Sequence, residues 1–296
     1  IIFVLFLALT INLNITDFRV ANATEPPVFS QALPGYVYRF PEDFYSHDDF
    51  RIEWWYYTGN LEEVATSRSF GYQLTFFRVA LDRISGNPNP SKWKVGHIYF
   101  AHMTLSDIAG EKFYYFERIN RKGIGNAGAD SQRLMVWNED WSLEGKDNEH
   151  LLEAVESGTG IKLQLAPEKK LVVHGQDGIS KKGSEAGNAS HYFSYTRMKT
   201  SGTVFVDGKS YKVFGTSWMD HEYSSNQLNN ELSGWDWFSL KLEDQTELML
   251  YQLRRKSGGI DSFSSGTFVS SDGVSRHIKR DEFTVELSAQ WRSKQS

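Results

Sequence analysis

The residues best suited to acid–base chemistry lie together in GTSWMDHEYSS, Gly215 to Ser225. Read as a strand, the segment puts Trp218, Asp220 and Glu222 on one face and Met219, His221 and Tyr223 on the other, because side chains alternate along a strand. A carboxylate among aromatic rings loses hydration, and a like-charged neighbour adds repulsion, so the pKa of Asp220 is expected to rise. A carboxylic acid kept protonated near neutral pH can serve as a general acid. The competing reading is structural, with Asp220 capping a turn or pairing with an arginine at the surface. Two other segments supply aromatic pairs: EWWYYTGN puts Trp54 and Tyr56 on one face, and GWDWFSL does the same for Trp235 and Trp237. Such pairs either line a cavity for a long apolar ligand or fill a core, which is the commoner use of aromatic side chains.

Other chemistries find less support. His97 and His102 are five apart and fall on opposite faces of a strand. There is no His-Glu-x-x-His helix and no calcium-type carboxylate loop, so no metal ligand is assigned. No Gly-x-Ser-x-Gly elbow is present. The Gly-rich stretch Gly175 to Asn188 runs into ASHYFSYTRM, which reads as a strand. A phosphate-cradling loop would have to open a helix, so this is expected to be a long loop at a barrel mouth. Lys169-Lys170 and Lys181-Lys182 are expected on solvated surface. The 296 residues contain no cysteine, which excludes disulfides, thiolate metal sites and a cysteine nucleophile. With 32 Lys+Arg against 37 Asp+Glu the formal charge is −5, which argues against a nucleic-acid partner. Aromatic residues make up 15% of the chain, more than charge balance or turn chemistry requires.

The elements that must hold these residues are strands. Aromatic and β-branched residues concentrate in Ile52 to Tyr57, Phe70 to Leu81, Lys94 to Leu105, Lys112 to Ile119, His150 to Val155 and Ile161 to Leu165. They continue in His191 to Met198, Thr203 to Val206, Tyr211 to Trp218, Trp235 to Leu242, Glu247 to Leu253, Gly266 to Val269, Arg276 to Ile278 and Phe283 to Leu287. Turn signals such as Gly59-Asn60, Gly86-Asn87-Pro88, Asp207-Gly208 and Asp272-Gly273 separate them. No window sustains a 3.6-residue apolar repeat. The fold class is all-β, with more strands than one eight-stranded barrel takes, and two β-barrels are expected. Ahead of them, Ile1 to Leu13 is an apolar run too short for a membrane span. With the small-x-small site Ala21-Asn22-Ala23 it reads as part of a secretory signal spanning residues 1–23. The expected location is therefore exported, periplasmic or secreted.

Taken together, EWWYYTGNL, GYQLTFFR, AHMTLSD, VWNEDWSLEG, GNASHYFSYTR, SWMDHEYSS, GWDWFSLKLED and ELMLYQLR run in order from Glu53 to Arg254. In this they resemble the AttH and carotenoid 1,2-hydratase (CrtC-like) family. The resemblance implies two consecutive lipocalin-like (calycin) barrels, here one from Phe44 to Tyr223 and a second from Ser224 to Ser296. The family's second barrel continues past a Trp-x-Ser segment, matched by Trp291 to Ser293, so that barrel is expected to be incomplete in this chain. The family includes hydratases that add water to an isoprenoid double bond without a redox cofactor, and exported AttH proteins found beside ABC-transporter components. The resemblance implies no cofactor, a lipid or isoprenoid as partner and an ABC-transporter system as a possible second one. Asp220 matches the hydratase acid, whereas DHEYSS follows the exported version more closely. Two functions follow. In one, the protein holds an apolar ligand against Trp54, Tyr56, Trp218, Trp235 and Trp237. In the other, Asp220 protonates a double bond, Trp218 and Trp237 stabilise the cation, Glu222 holds the water or raises the Asp220 pKa, and His221 orients its neighbours.

Overall fold

Strand β1 (Ile52–Glu63) alternates between buried and half-buried residues for most of its length, the signature of a sheet with one face packed on a core. Trp55, Tyr57 and Leu61 point into a core shared with Phe70, Tyr72, Leu74 and Phe76 of β2 (Ser69–Ala80). Tyr99, Ala101, Met103 and Leu105 of β3 (His97–Asp107) complete that side. The computed structural model describes residues 29–66, 68–81, 95–122, 125–226, 229–287 and 289. The leading apolar run, Ala21-Asn22-Ala23, Gly86-Asn87-Pro88 and Trp291 to Ser293 lie outside the described residues.

Beyond β4 (Lys112–Arg121) come β5 (Ala127–Ala129), β6 (Met135–Asn138), β7 (Trp141–Lys146), β8 (Glu149–Glu156) and β9 (Thr159–Pro167). Two short strands, β10 (Val172–Val173) and β11 (Ser180–Lys181), precede the long pair β12 (Ala189–Val206) and β13 (Lys209–Ser224). One antiparallel sheet runs β4-β3-β2-β1-β13-β12-β9-β8-β7-β6-β5, with β10 and β11 added on β12. It curls until its two ends meet, giving a nearly closed barrel. Closure is made by side chains rather than by a backbone ladder. Arg118 Nη1 donates to the Asn138 carbonyl at 3.1 Å, Asn120 Nδ2 to Asn138 Oδ1 at 2.8 Å, and Asn138 Nδ2 to the Tyr99 carbonyl at 3.2 Å. Asn138 is fully buried, so Asn138→Leu, which keeps the backbone carbonyl for Arg118 but removes the amide that meets Asn120 and the Tyr99 carbonyl, should cost about 1–3 kcal/mol, read as a lower urea midpoint. An unchanged midpoint would mean that the edges hold without it.

A second antiparallel sheet follows, in the order β14 (Leu232–Lys241), β15 (Glu247–Arg255), β16 (Ser265–Val269) and β17 (Ser275–Ile278). It packs on the outer face of the barrel at β12 and β13, where Tyr192 and Trp218 join Leu232, Met249, Tyr251 and Leu253 in a separate apolar cluster. Helix among the described residues is limited to the 3-10 turns Glu42–Phe44 and Arg280–Glu282. None is long and apolar enough to cross a membrane. The chain is all-β: one large, nearly closed barrel plus a small second sheet.

The Asp207-Gly208 signal makes the tight turn between β12 and β13, with φ of 49° and 81°, the positive pair that a two-residue hairpin favours. Four details differ from the sequence pattern. The Gly59-Asn60 signal is not a turn: both residues continue β1 because β2 and β13 pair with it on either side. Lys199 to Gly202, polar enough to look like a break, stays in β12 because both β9 and β13 pair with it. Strands β5, β6 and β7 are short and carry Gly and Asn, so their periodicity is too brief to see. Phe283 to Leu287 is not a strand; the chain there follows the 3-10 turn without a ladder partner.

Candidate functional site

Strand β13 is central to the site because its two faces carry different chemistry. Its neighbours set the register: β1 pairs Tyr56 with Asp220 and Trp54 with Glu222, while β12 pairs Ser194 with Asp220 and Tyr192 with Glu222. Directly paired residues point the same way. Trp54, Tyr56, Tyr192, Ser194, Trp218, Asp220 and Glu222 therefore share the barrel's outer face. His221 and Tyr223 point into the barrel, as the alternation requires.

On the outer face Asp220 is buried among rings. Trp218 Nε1 donates to Asp220 Oδ1 at 2.6 Å, and Ser194 Oγ donates to the same oxygen. Trp237 of β14 closes the site from the second sheet. Its ring stands edge-on to Tyr56 at 5.3 Å and to Trp218 at 6.2 Å, and its Nε1 donates to Tyr192 Oη at 3.1 Å. Burial pushes the Asp220 carboxyl up to about 7. Hydrogen bonds from Ser194 and Trp218 oppose the rise, and the charge of Glu222 adds to it. The net effect of its surroundings is to lift the Asp220 carboxyl well above its ordinary value. Burial also raises Glu222, against the pull of Lys182, whose Nζ lies 3.6 Å away.

Beside Asp220 lies a pocket lined by Lys182, Tyr192, Glu222, Trp235, Trp237, Tyr251 and Leu253. Its volume is about 20 Å³, room for one water. Lys182 corrects the expectation of a solvated surface: it is buried, with Nζ 2.8 Å from Ser180 Oγ and 3.9 Å from the centre of the Tyr251 ring. Lys169 is also covered. It joins Arg197 Nε on Glu247 at the foot of β15, with N–O distances of 2.7 and 2.6 Å. Lys170 and Lys181 are exposed as expected. In both corrected cases a buried carboxylate distant in sequence, Glu222 on β13 or Glu247 on β15, holds the ammonium, a partner that local sequence cannot reveal.

Inside the barrel, His221 Nε2 lies 3.0 Å from Glu53 Oε1, and Arg78 Nε donates to Glu53 Oε2 at 2.9 Å. His47 Nδ1 sits 2.8 Å from the same Oε1, and Tyr223 Oη donates to Asp43 Oδ1 at 2.8 Å. Burial works to raise Glu53, but Arg78, His221 and His47 outweigh it and hold the carboxyl well below its ordinary range. Ligand-type atoms of His47, Glu53 and His221 lie within 4.8 Å of one another. The buried Arg78 guanidinium already neutralises the carboxylate they share, and its fixed charge opposes a cation there. This is a charge-balanced network that pins the barrel end.

The structure thus brings Asp220, Tyr56, Trp218 and Trp237 together, with Glu222 and Trp235 at the adjoining pocket. Trp54 shares the face but packs on Phe77 at 6.2 Å, and His221 faces away from Asp220. The rings lie on the outside of the barrel, under the second sheet, rather than in a barrel lumen; the lumen is filled by Trp55, Tyr57 and their neighbours. Tyr192, Ser194, Lys182, His174, Tyr251 and Thr267 were not singled out from sequence. Of these, Tyr192 and Ser194 share one face of GNASHYFSYTR and were reachable by alternation alone.

This outer-face site on a barrel with an appended sheet meets a match over residues 31–296, nearly the whole chain. The chain belongs to the AttH-like family. A crystal structure of a protein assigned as AttH from Nitrosomonas europaea is similar to this AttH-like chain at 32% identity and a TM-score of 0.82, covering 90% of this chain and 80% of that one. Kievitone hydratase from Nectria haematococca aligns at 12% identity with a TM-score of 0.59, over 86% of this chain and 72% of that one, a likeness of fold alone. No protein of curated function matches the AttH-like chain.

Proposed function

We propose that this AttH-like protein binds an apolar ligand, a lipid or isoprenoid, at the seam between the barrel and the second sheet. One observation carries the reading: Tyr192, Trp235, Trp237, Tyr251 and Leu253 converge on a pocket at that seam. Aromatic and aliphatic lining with a few placed polar groups is what small-molecule sites are made of. At about 20 Å³ the pocket is too small for such a ligand, so binding parts β14 and β15 from the barrel face. The apolar leading segment supports an exported location, and the company of ABC-transporter components in the family supports a transport partner. Both belong to this proposal.

A second reading is favoured by the buried Asp220, whose carboxyl is pushed up to about 7 by burial. In it, Asp220 gives its proton to one carbon of an isoprenoid double bond, and the neighbouring carbon becomes a tertiary cation facing Trp218 and Trp237. Water then adds to that carbon and loses a proton, returned through Glu222 or solvent to Asp220. The net change is H on one carbon and OH on the other. A hydratase shares the fold, which supports the possibility of such chemistry without assigning it.

The test is Asp220→Asn, assayed with acyclic isoprenoids and with tryptophan quenching by the same probes. Binding alone predicts equal quenching in both proteins and turnover in neither. The acid reading predicts turnover in the native protein and a loss of roughly a hundredfold or more in the variant. Absence of quenching by any lipid or isoprenoid probe removes both readings.

A further inference from the structure

Behind Asp220 a row of polar side chains runs from β12 across the seam to β16 and β17 of the second sheet. Ser194 Oγ, already hydrogen-bonded to Asp220 Oδ1, lies 2.7 Å from His174 Nε2. His174 Nδ1 lies 2.8 Å from Thr267 Oγ1 on β16. Thr267 is the direct cross-strand partner of His277 on β17, so the two side chains share a face. His277 is half-buried, and its Nδ1 has no hydrogen-bond partner. Ser194, His174 and Thr267 are all nine-tenths or more buried. Of the three, Ser194 alone has a contact in the site already described, its hydrogen bond to Asp220.

We propose that His174 and Ser194 form a proton relay that reloads Asp220 from the His277 side, with His174 as a positioning residue that changes tautomer as Asp220 gains or loses its proton. The inference rests on the acid reading of Asp220. Hydrogen counting gives the mechanism. Ser194 has one hydroxyl proton and lies between Asp220 and His174, with the Tyr192 hydroxyl, which can donate its own proton to Asp220, beside them. When Asp220 is ionised, that proton points to Asp220, so Ser194 Oγ must accept from His174 Nε2–H, and His174 Nδ1 accepts from Thr267. When Asp220 carries its proton on Oδ1, it donates to Ser194, Ser194 donates to His174 Nε2, and the ring proton sits on Nδ1. Passage between the two states moves one proton along each link: Nε2–H to Ser194, Ser194 to Asp220, and Thr267 to Nδ1. Thr267 recovers its proton from the His277 side. The imidazole is neutral at both ends of the shift. Burial, then the charges of Lys182 and His277, depress His174 to about 3, which keeps the imidazolium form out of the exchange.

The groups facing this row from each packed element are few. They are Glu222 on β13, Tyr56 on β1, Tyr192 on β12, Lys182 beside β11 and His277 on β17, with Arg276, Lys279 and Glu282 around His277. The tyrosines are raised by burial and stay protonated through neutrality. Glu222 is therefore the acidic neighbour whose ionisation would shift the midpoint.

The test is ¹⁵N NMR of histidine-labelled protein between pH 5 and 9, with the Asp220 carboxyl followed by ¹³C and both signals assigned through His174→Gln and Asp220→Asn. The expected result is that the Nδ1 and Nε2 shifts of His174 exchange places with a midpoint near 7, the Asp220 value, while their mean stays that of a neutral ring. Ser194→Ala should abolish the exchange and Ser194→Thr should restore it. A His174 tautomer that stays fixed while Asp220 titrates overturns the relay and leaves the acid reading intact. An Asp220 carboxyl that stays ionised throughout overturns both.

Discussion

Glu53→Gln should lower the unfolding free energy by about 3–5 kcal/mol, the cost of leaving a buried charge without its partner. Arg78 and Glu53 are both fully inaccessible to solvent, and among the described residues the Arg78 guanidinium otherwise donates to the carbonyls of His47 and Phe50 and has the half-exposed Asp48 carboxylate 3.9 Å away. The neutral amide keeps the shape of the site and removes the countercharge. Paired replacement by apolar residues, Glu53→Met with Arg78→Met, should recover most of the loss, because a buried ion pair is worth little over a packed apolar pair. Urea midpoints of the three variants decide the point, and a single variant no worse than the double one would contradict it. The network also sets a pH dependence. His47 is raised to about 9 because Asp43 and Glu53 outweigh the burial that would lower it. Its contribution is complete below about 6.5 and is lost as pH rises through 9. Asp43 is held at about 2; burial works to raise it, but hydrogen bonds from His47, Tyr36, Arg39 and Tyr223 prevail. Its contribution is present above about 4 and is lost as pH falls through 2. His47→Gln should flatten the alkaline limb and leave most of the acid limb.

Glu247→Gln should act on the other joint of the molecule. The Glu247 carboxylate is fully buried between Arg197 and Lys169, and the Lys241 ammonium lies in the same region. Burial, then the charge of Arg197, pulls Lys241 down to about 7, with Glu247 among the groups resisting. Without the carboxylate, two buried cations on the barrel side, Arg197 and Lys169, lose the countercharge that the second sheet brings them, and Lys241 loses a supporting charge. A loss of about 3–5 kcal/mol is expected, concentrated where the second sheet meets the barrel. Hydrogen exchange reads the location directly: amides of β14 to β17 should exchange faster while those of β1 to β3 keep their protection. A uniform rise over both sheets would show that the joint carries no local stability.

The all-β character was legible because alternation survives wherever one sheet face is buried, as in Trp55, Tyr57, Phe70 and Tyr72. The placing of Asp220 on one face with Trp218 and Glu222 was legible for the same reason, since the three sit two residues apart on β13. What alternation leaves open is which of two faces becomes a lumen. Trp54 and Trp55 are equally apolar, and only the closure of the barrel puts Trp55 inside and leaves Trp54 outside. Long-range polar partners were hidden for a related reason. Lys182 looks like any surface lysine until β13 brings Glu222 beside it, and His174 reads as an isolated histidine until β16 supplies Thr267. Sequence separations of about forty and ninety residues carry no local pattern.

The two-sidedness of β13 restricts how this protein can change. Moving the strand by one position exchanges its faces, sending His221 to the seam and Asp220 into the barrel beside Glu53. Two carboxylates would then meet in a space balanced for one, and the seam would lose its acid. Substitutions along β13 can be absorbed one at a time, but a single-codon insertion or deletion between Trp218 and Tyr223 would disable both faces together. Length variation in descendants of this sequence is therefore expected at hairpin tips such as Asp207-Gly208, with the core of β13 kept to a constant count.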